Sequence, residues 1–303
     1  MHDRSLEETL QHHFPINIEQ ASSNFRFFAV CNEFDVNSVI ESLAAELATM
    51  PAKTDQRKVA LLFGESHFLS LMPILSQFVD VIILADIEIK LHVHNQHLLS
   101  TFIKSENISQ FLKNYCQDFP EIPFSPTDIP SKRTIHQNVD RLLGKMSRAF
   151  ASLGAHHFLS NSYQYQQCKQ AYEKLSIVQI QLNLVDINAC HHLACILSNH
   201  EAQIAFCNFT NIYQFVDIAI LRSVTTQLLQ YSKPDFILYS IGSSYRLNAQ
   251  YTRNIEGYFA MANRFHTQSS SIYALHPRPA KYSFWQASVE EPETHDRWQC
   301  HIS

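Results

Sequence analysis

Short apolar runs separated by stretches of helical spacing set the pattern of this chain. Lys58-Val-Ala-Leu-Leu-Phe63 reads as a strand, Gly64 follows it, and Phe68 to Phe78 then carries apolar residues at helical intervals. A second run, Val81-Ile-Ile-Leu-Ala85, ends on Asp86, and Ile87 to Phe102 reads as the next helix. The alternation stops between about Ser105 and Leu175, where Pro120, Pro123, Pro126 and Pro130 break the chain repeatedly. Two helices are predicted inside that stretch, near Ile135 to Ser152 and Tyr163 to Leu175. It is long enough to form a cap or lid over a sheet edge. Strand and helix then alternate again. Ile177 to Val185 is a predicted strand ending at Asp186, Ala189 to Leu197 a helix, and Gln203 to Cys207 a strand leading into Asn208-Phe-Thr-Asn211. Ile218 to Leu229 is the next helix, Asp235 to Ser240 another strand, and Arg253 to Ala262 a further helix. Ser271 to Leu275 and Tyr282 to Trp285 suggest a terminal antiparallel pair.

Upstream of the first strand, Asp35 is placed to cap a helix through about Ala48, with Val36, Val39, Ile40, Leu43 and Leu47 on one face. Strands alternating with helices imply an α/β fold: a Rossmann-like, mainly parallel sheet with helices on both faces. An N-terminal helical segment (residues 1–55) precedes a Rossmann-like domain (residues 56–303) that carries a helical insertion at about 105–175.

Composition narrows the class. At 303 residues and 35.0 kDa, with 46% hydrophobic and 17% charged residues, the chain can bury a full core. No apolar run of about 18 residues is present, so no membrane span is expected. The polar, acidic start Met1-His-Asp-Arg-Ser-Leu-Glu-Glu resembles neither a secretory signal nor a transit peptide. A net charge of −5 with scattered Lys and Arg argues against a nucleic-acid footprint and leaves a small molecule or a protein as partner. The seven cysteines are odd in number and form no CxxC pair, which fits reduced thiols in the cytoplasm. Cys190 and Cys195 read as small core residues of one helix.

Ligands of parallel sheets bind beyond the carboxyl ends of the strands, near the point where the strand order reverses. The residues to examine there are Gly64-Glu65-Ser66-His67, Asp86, Asp186, Asn208-Phe-Thr210-Asn211 and Ser240-Ile-Gly242. Each has a plainer use as well. Gly64 can be a tight strand-to-helix turn, Asp86 and Asp186 helix caps, and Asn208 and Asn211 turn residues. Only five glycines occur in the chain, so one standing after the first strand carries weight. His67, inside that first turn, is a candidate general base, with capping or packing as its alternative use.

The order of Gly64, Asp86, Asp186 and Asn208 along the strands resembles a class I S-adenosylmethionine-dependent methyltransferase. The resemblance implies S-adenosylmethionine as cofactor, with Gly64, Glu65 and Ser66 at its amino-acid part and Asp86 on the ribose hydroxyls. It implies Asp186 at the adenine, and Asn208, Thr210 and Asn211 facing the methyl group and an acceptor. The family's first turn is glycine-rich, whereas this one carries Glu65, Ser66 and His67. That departure motivates an alternative: a catalytically inactive Rossmann-like binding protein. More loosely, Phe158 to Ser240 is similar to methyltransferase-like proteins of intracellular bacteria, which implies a bacterial effector delivered into a host cell.

Other constellations are weaker. His94 and His97 share a helix face, but His92 lies about 200° away from His94. No metal is therefore expected, and the three read as surface histidines. The doublets His12-His13, His156-His157 and His191-His192 are non-specific. Gly64-Glu-Ser66-His-Phe68 lacks the second glycine of a hydrolase nucleophile elbow.

Overall fold

The computed structural model describes residues 4–17, 33–34, 36–49, 56–64, 67–117, 153–209, 212, 218–243 and 246–262. Seven strands form one sheet: β1 (Glu33–Phe34), β2 (Arg57–Phe63), β3 (Val81–Asp86), β4 (Ser176–Gln181), β5 (Ala202–Asn208), β6 (Phe236–Ser243) and β7 (Arg246–Thr252). Their order is β1-β7-β6-β5-β2-β3-β4. From β2 to β6 every pairing is parallel; β7 returns antiparallel to β6, and β1 pairs with β7. Taken in chain order, the five parallel strands lie 3-2-1-4-5, the doubly wound Rossmann-like arrangement. The order reverses between β2 and β5, and that crevice is where the fold opens a ligand site.

The helices are α1 (Leu6–His13), α2 (Val36–Leu47), α3 (Phe68–Leu75), α4 (Ile89–Lys104), α5 (Ile108–Gln117), α6 (Ser162–Tyr172), α7 (Ile187–Asn199) and α8 (Ile218–Leu228), with residues 255–262 also helical. Two apolar layers follow from the period-two alternation of the strands. Val59, Leu61, Val81, Ile83 and Ala85 face α1, α7, α8 and Tyr258. Ala60, Leu62, Ile82 and Leu84 face α2 and α3 on the other side, where Phe102, Phe111, Phe158 and Tyr165 extend the core outward. With both faces covered, β2 and β3 have to be continuously apolar, and their central residues are fully buried.

Several elements depart from the sequence pattern. β4 ends at Gln181, so Asp186 does not end a strand; Leu182 and Leu184 continue the apolar run but pack as a buried loop. β7 runs through residues given no element from sequence. The described parts of the insertion, α5, residues 153–160 and α6, pack onto the α3 face as a second layer. The strand pair expected at 271–275 and 282–285, the helix expected near 135–152 and the cap at Asp35 lie outside the described residues. Among the described residues no helix is long and apolar enough to cross a membrane.

Candidate functional site

Gly64 leaves β2 in the left-handed region, at φ 73°. Among the described residues a Cβ there would meet nothing closer than Leu91 Cδ2 at 3.9 Å, and the positive φ is the demand that glycine answers. Its N–H donates to the Ala85 carbonyl at 3.4 Å, which ties the turn to the end of β3. Asp86 is the next residue along. The Glu88 N–H donates to Asp86 Oδ1 at 2.8 Å, and the N–H groups of Ile87 and Gly64 also point at this carboxyl. Burial outweighs those donors and, with the Glu88 charge, pushes the Asp86 pKa from 3.8 to about 6. At neutral pH the group is still mainly a carboxylate, able to accept from hydroxyls.

α4 supports both groups from below, through residues that sequence reasoning passed over. Asn95, 1% exposed, donates through Nδ2 to the Gly64 carbonyl at 3.3 Å. Its Oδ1 is buried and meets no donor among the described residues. His92 is 2% exposed; its Nε2 lies 2.9 Å from the Asp86 carbonyl oxygen and its Nδ1 lies 3.4 Å from the Gln179 amide. Burial lowers the His92 pKa, so the ring is neutral. Only a donor can face the Asp86 carbonyl, so Nε2 holds the proton. The available signal was the spacing. His92 and Asn95 stand three apart, one turn into α4, and so share a face of it.

The histidines of α4 are not surface groups. His94 is buried with Nε2 3.0 Å from the Tyr115 hydroxyl, and His97 reaches the Tyr115 carbonyl at 3.2 Å, because α5 covers this side of the helix. No cluster of three or more metal-ligating side chains occurs among the described residues.

The remaining sequence candidates separate. Asn208 ends β5, 2% exposed, in register with Leu62 of β2 and Leu238 of β6, so it lies across the crevice from the Gly64 turn. Beside it, Phe63 and Phe209 stack at 5.7 Å between ring centroids, and Tyr258 lies 5.3 Å from Phe209. Phe209 and Tyr258 are fully buried, so these rings belong to the core beneath the strand ends. Asp186 stands away from the strand ends as the N-cap of α7, its Oδ1 accepting the N–H groups of Asn188 and Ala189 at 2.9 and 3.1 Å. At the carboxyl end of β4 the polar side chain is Gln181. It accepts the Asn17 N–H at 3.2 Å and donates to the Ile87 carbonyl at 3.5 Å, which draws the segment after α1 against this edge. His67 caps α3 in the left-handed region, at φ 52°, and is 6% exposed. It presses electrostatically on His157, whose pKa falls to about 3, first by burial and then by that neighbour. Glu65, Ser66, Thr210 and Asn211 lie outside the described residues.

No protein-family model matches this chain, and no curated protein does. Among solved structures, the rRNA methyltransferase aviRa from Streptomyces viridochromogenes is similar, at 14% identity and a TM-score of 0.36, over 70% of this chain and 78% of that one. The fold assignment stands on the strand order alone.

Proposed function

We propose that this chain binds S-adenosylmethionine at the switch point and transfers its methyl group to a small-molecule or protein acceptor. One observation carries the reading. A left-handed glycine turn and an acid are tied side by side at the carboxyl ends of adjacent parallel strands, in a 3-2-1-4-5 sheet. The residues fit such a cofactor. The Gly64 turn offers close backbone approach, and the Asp86 carboxylate is an acceptor pair for a ribose diol. The unpaired Oδ1 of Asn95 is a buried acceptor beneath the turn. When bound, the cofactor supplies an electrophilic methyl group on a sulfonium centre.

This chain's residues would bind and orient. Asp86 holds the sugar, while the segment after Gln181 takes the base-side wall that the sequence had given to Asp186. Asn208 and Phe63 stand on the acceptor side. Transfer of this kind depends mainly on in-line placement, so a dedicated base is not required. A second reading, binding without turnover, is favoured by one fact: His67 is buried beside His157 and away from bulk water.

Calorimetry with S-adenosylmethionine and S-adenosylhomocysteine tests the cofactor. Saturable binding is expected, weakened at least about tenfold in Asp86→Ala, the scale of losing a charge-assisted hydrogen-bond pair. No heat from the wild type at millimolar ligand sinks the proposal. If binding is seen, labelled methyl transfer to a cell extract separates the enzyme from the binding protein.

A further inference from the structure

On the outer face of α7, far along the chain from the turn, three polar side chains converge that the proposed function leaves unused. Cys195 and His191 stand four apart on the helix and so share a face, with Cys195 Sγ 3.5 Å from His191 Nε2. The opposite ring nitrogen, Nδ1, lies 2.7 Å from the amide nitrogen Nε2 of Gln230, just beyond α8. Sequence reasoning had Cys195 as a core residue like Cys190. Instead Cys190 is buried, whereas Cys195 is only half-buried and its two partners are exposed.

The contrast with the other described thiols is physical. Cys168, Cys190 and Cys207 are enclosed, and burial pushes each of their pKa values upward, to about 12 for the first two. They are inert by enclosure. Cys195 has an imidazole within hydrogen-bond reach, and that imidazole has its own orienting amide. Nucleophile, base and orienter in contact is the arrangement that activates a thiol. Gln230 can meet either ring tautomer, because its amide turns over. Turned over from the orientation that places its Nε2 on Nδ1, the amide sets its carbonyl on Nδ1–H, and His191 Nε2 is then the acceptor that faces the thiol.

We infer that Cys195 is a reactive thiol and a site of reversible covalent modification by low-molecular-weight disulfides, with His191 as its base and Gln230 as the positioning residue. The step balances. His191 Nε2 takes the Sγ proton, and the thiolate attacks one sulfur of the disulfide. A new sulfur–sulfur bond forms as the old one breaks, and the departing thiolate takes the proton back from His191. No net oxidant beyond the disulfide is consumed. The adduct would lie on the outer face of α7, beside the turn after α8. The inference is independent of the cofactor reading.

The experiment incubates the full-length native protein with oxidised glutathione near neutral pH and follows each cysteine by peptide mass spectrometry. Cys195 is expected to be modified faster in the native protein than in the same chain unfolded in urea. His191→Ala should slow it at least about tenfold, a conservative share of the roughly 100-fold or more that a positioned base supplies. Gln230→Ala should slow it by less. His191 and Gln230 are both exposed, so the variants keep the fold, which circular dichroism checks. A Cys195 rate unchanged within about twofold in His191→Ala overturns the inference, as does native Cys195 reacting no faster than in urea.

Discussion

Asp86→Asn should make the protein more stable near neutral pH, although it removes a residue of the proposed site. The Asp86 pKa in the native protein is about 6 against an ordinary value of 3.8, because burial penalises the carboxylate more than its backbone donors compensate. With the folded value above the unfolded one, the stabilising contribution is complete below 3.8 and is lost as pH rises through about 6. Above that the carboxylate costs at most on the order of 3 kcal/mol relative to a neutral group. Asn removes the titration while keeping an oxygen for the Glu88 N–H. Urea denaturation followed by circular dichroism measures the difference. At about pH 7.5 the variant should gain one to three kcal/mol, roughly, and the gain should shrink towards zero at about pH 4. A variant that is less stable at neutral pH, or whose difference from wild type does not change with pH, refutes the reasoning. A stability cost at a polar group on the ligand edge is what a binding role would leave behind.

His157 should act in the opposite sense. Its native pKa of about 3 lies below the ordinary 6.5, so its contribution is present above 6.5 and is lost as pH falls, by about 1.4 kcal/mol per pH unit. His157→Gln keeps an acceptor for the Leu159 N–H and should lessen the acid sensitivity seen in urea melts between about pH 6 and 4; an unaltered slope counts against it. In the wild type the Asp86 and His157 slopes oppose each other across that range, so each emerges only when the other is removed. Gly64→Ala should cost about 1–2 kcal/mol through the left-handed backbone, since among the described residues the new methyl meets only ordinary contact with Leu91. Gly64→Asn should cost less in the same melts; equal losses would mean that space and not backbone conformation selects glycine.

The central strands were legible because burial on both faces demands unbroken apolar runs, and β2, β3 and β5 supply them. Asp86 was legible for the same reason: the first polar residue after such a run stands at the sheet's edge. The rule failed at Asp186, where Leu182 and Leu184 extend the apolar run past the last ladder bond as a buried loop. β7 was missed because Arg-Leu-Asn-Ala-Gln-Tyr-Thr has little apolar content, as an outer strand with only β6 and the two-residue β1 beside it can tolerate. His94 was misjudged as a surface group because the sequence does not show that α5 covers its side of α4, and His92 because it does not show the ring turned inward onto Asp86 and Gln179. The support that Asn95 and His92 give to Gly64 and Asp86 depends on tertiary contact; their spacing sets them on one helix face but does not name their partners.

Peptide-resolved hydrogen exchange with and without S-adenosylhomocysteine tests the central claim most directly, because it asks where the ligand sits. The account predicts slowed exchange in peptides spanning Gly64, residues 85–88 and residues 181–183, at the carboxyl ends of β2, β3 and β4, with little change in α6 or α8. Protection confined to other parts of the chain, or none at saturating ligand, would contradict it.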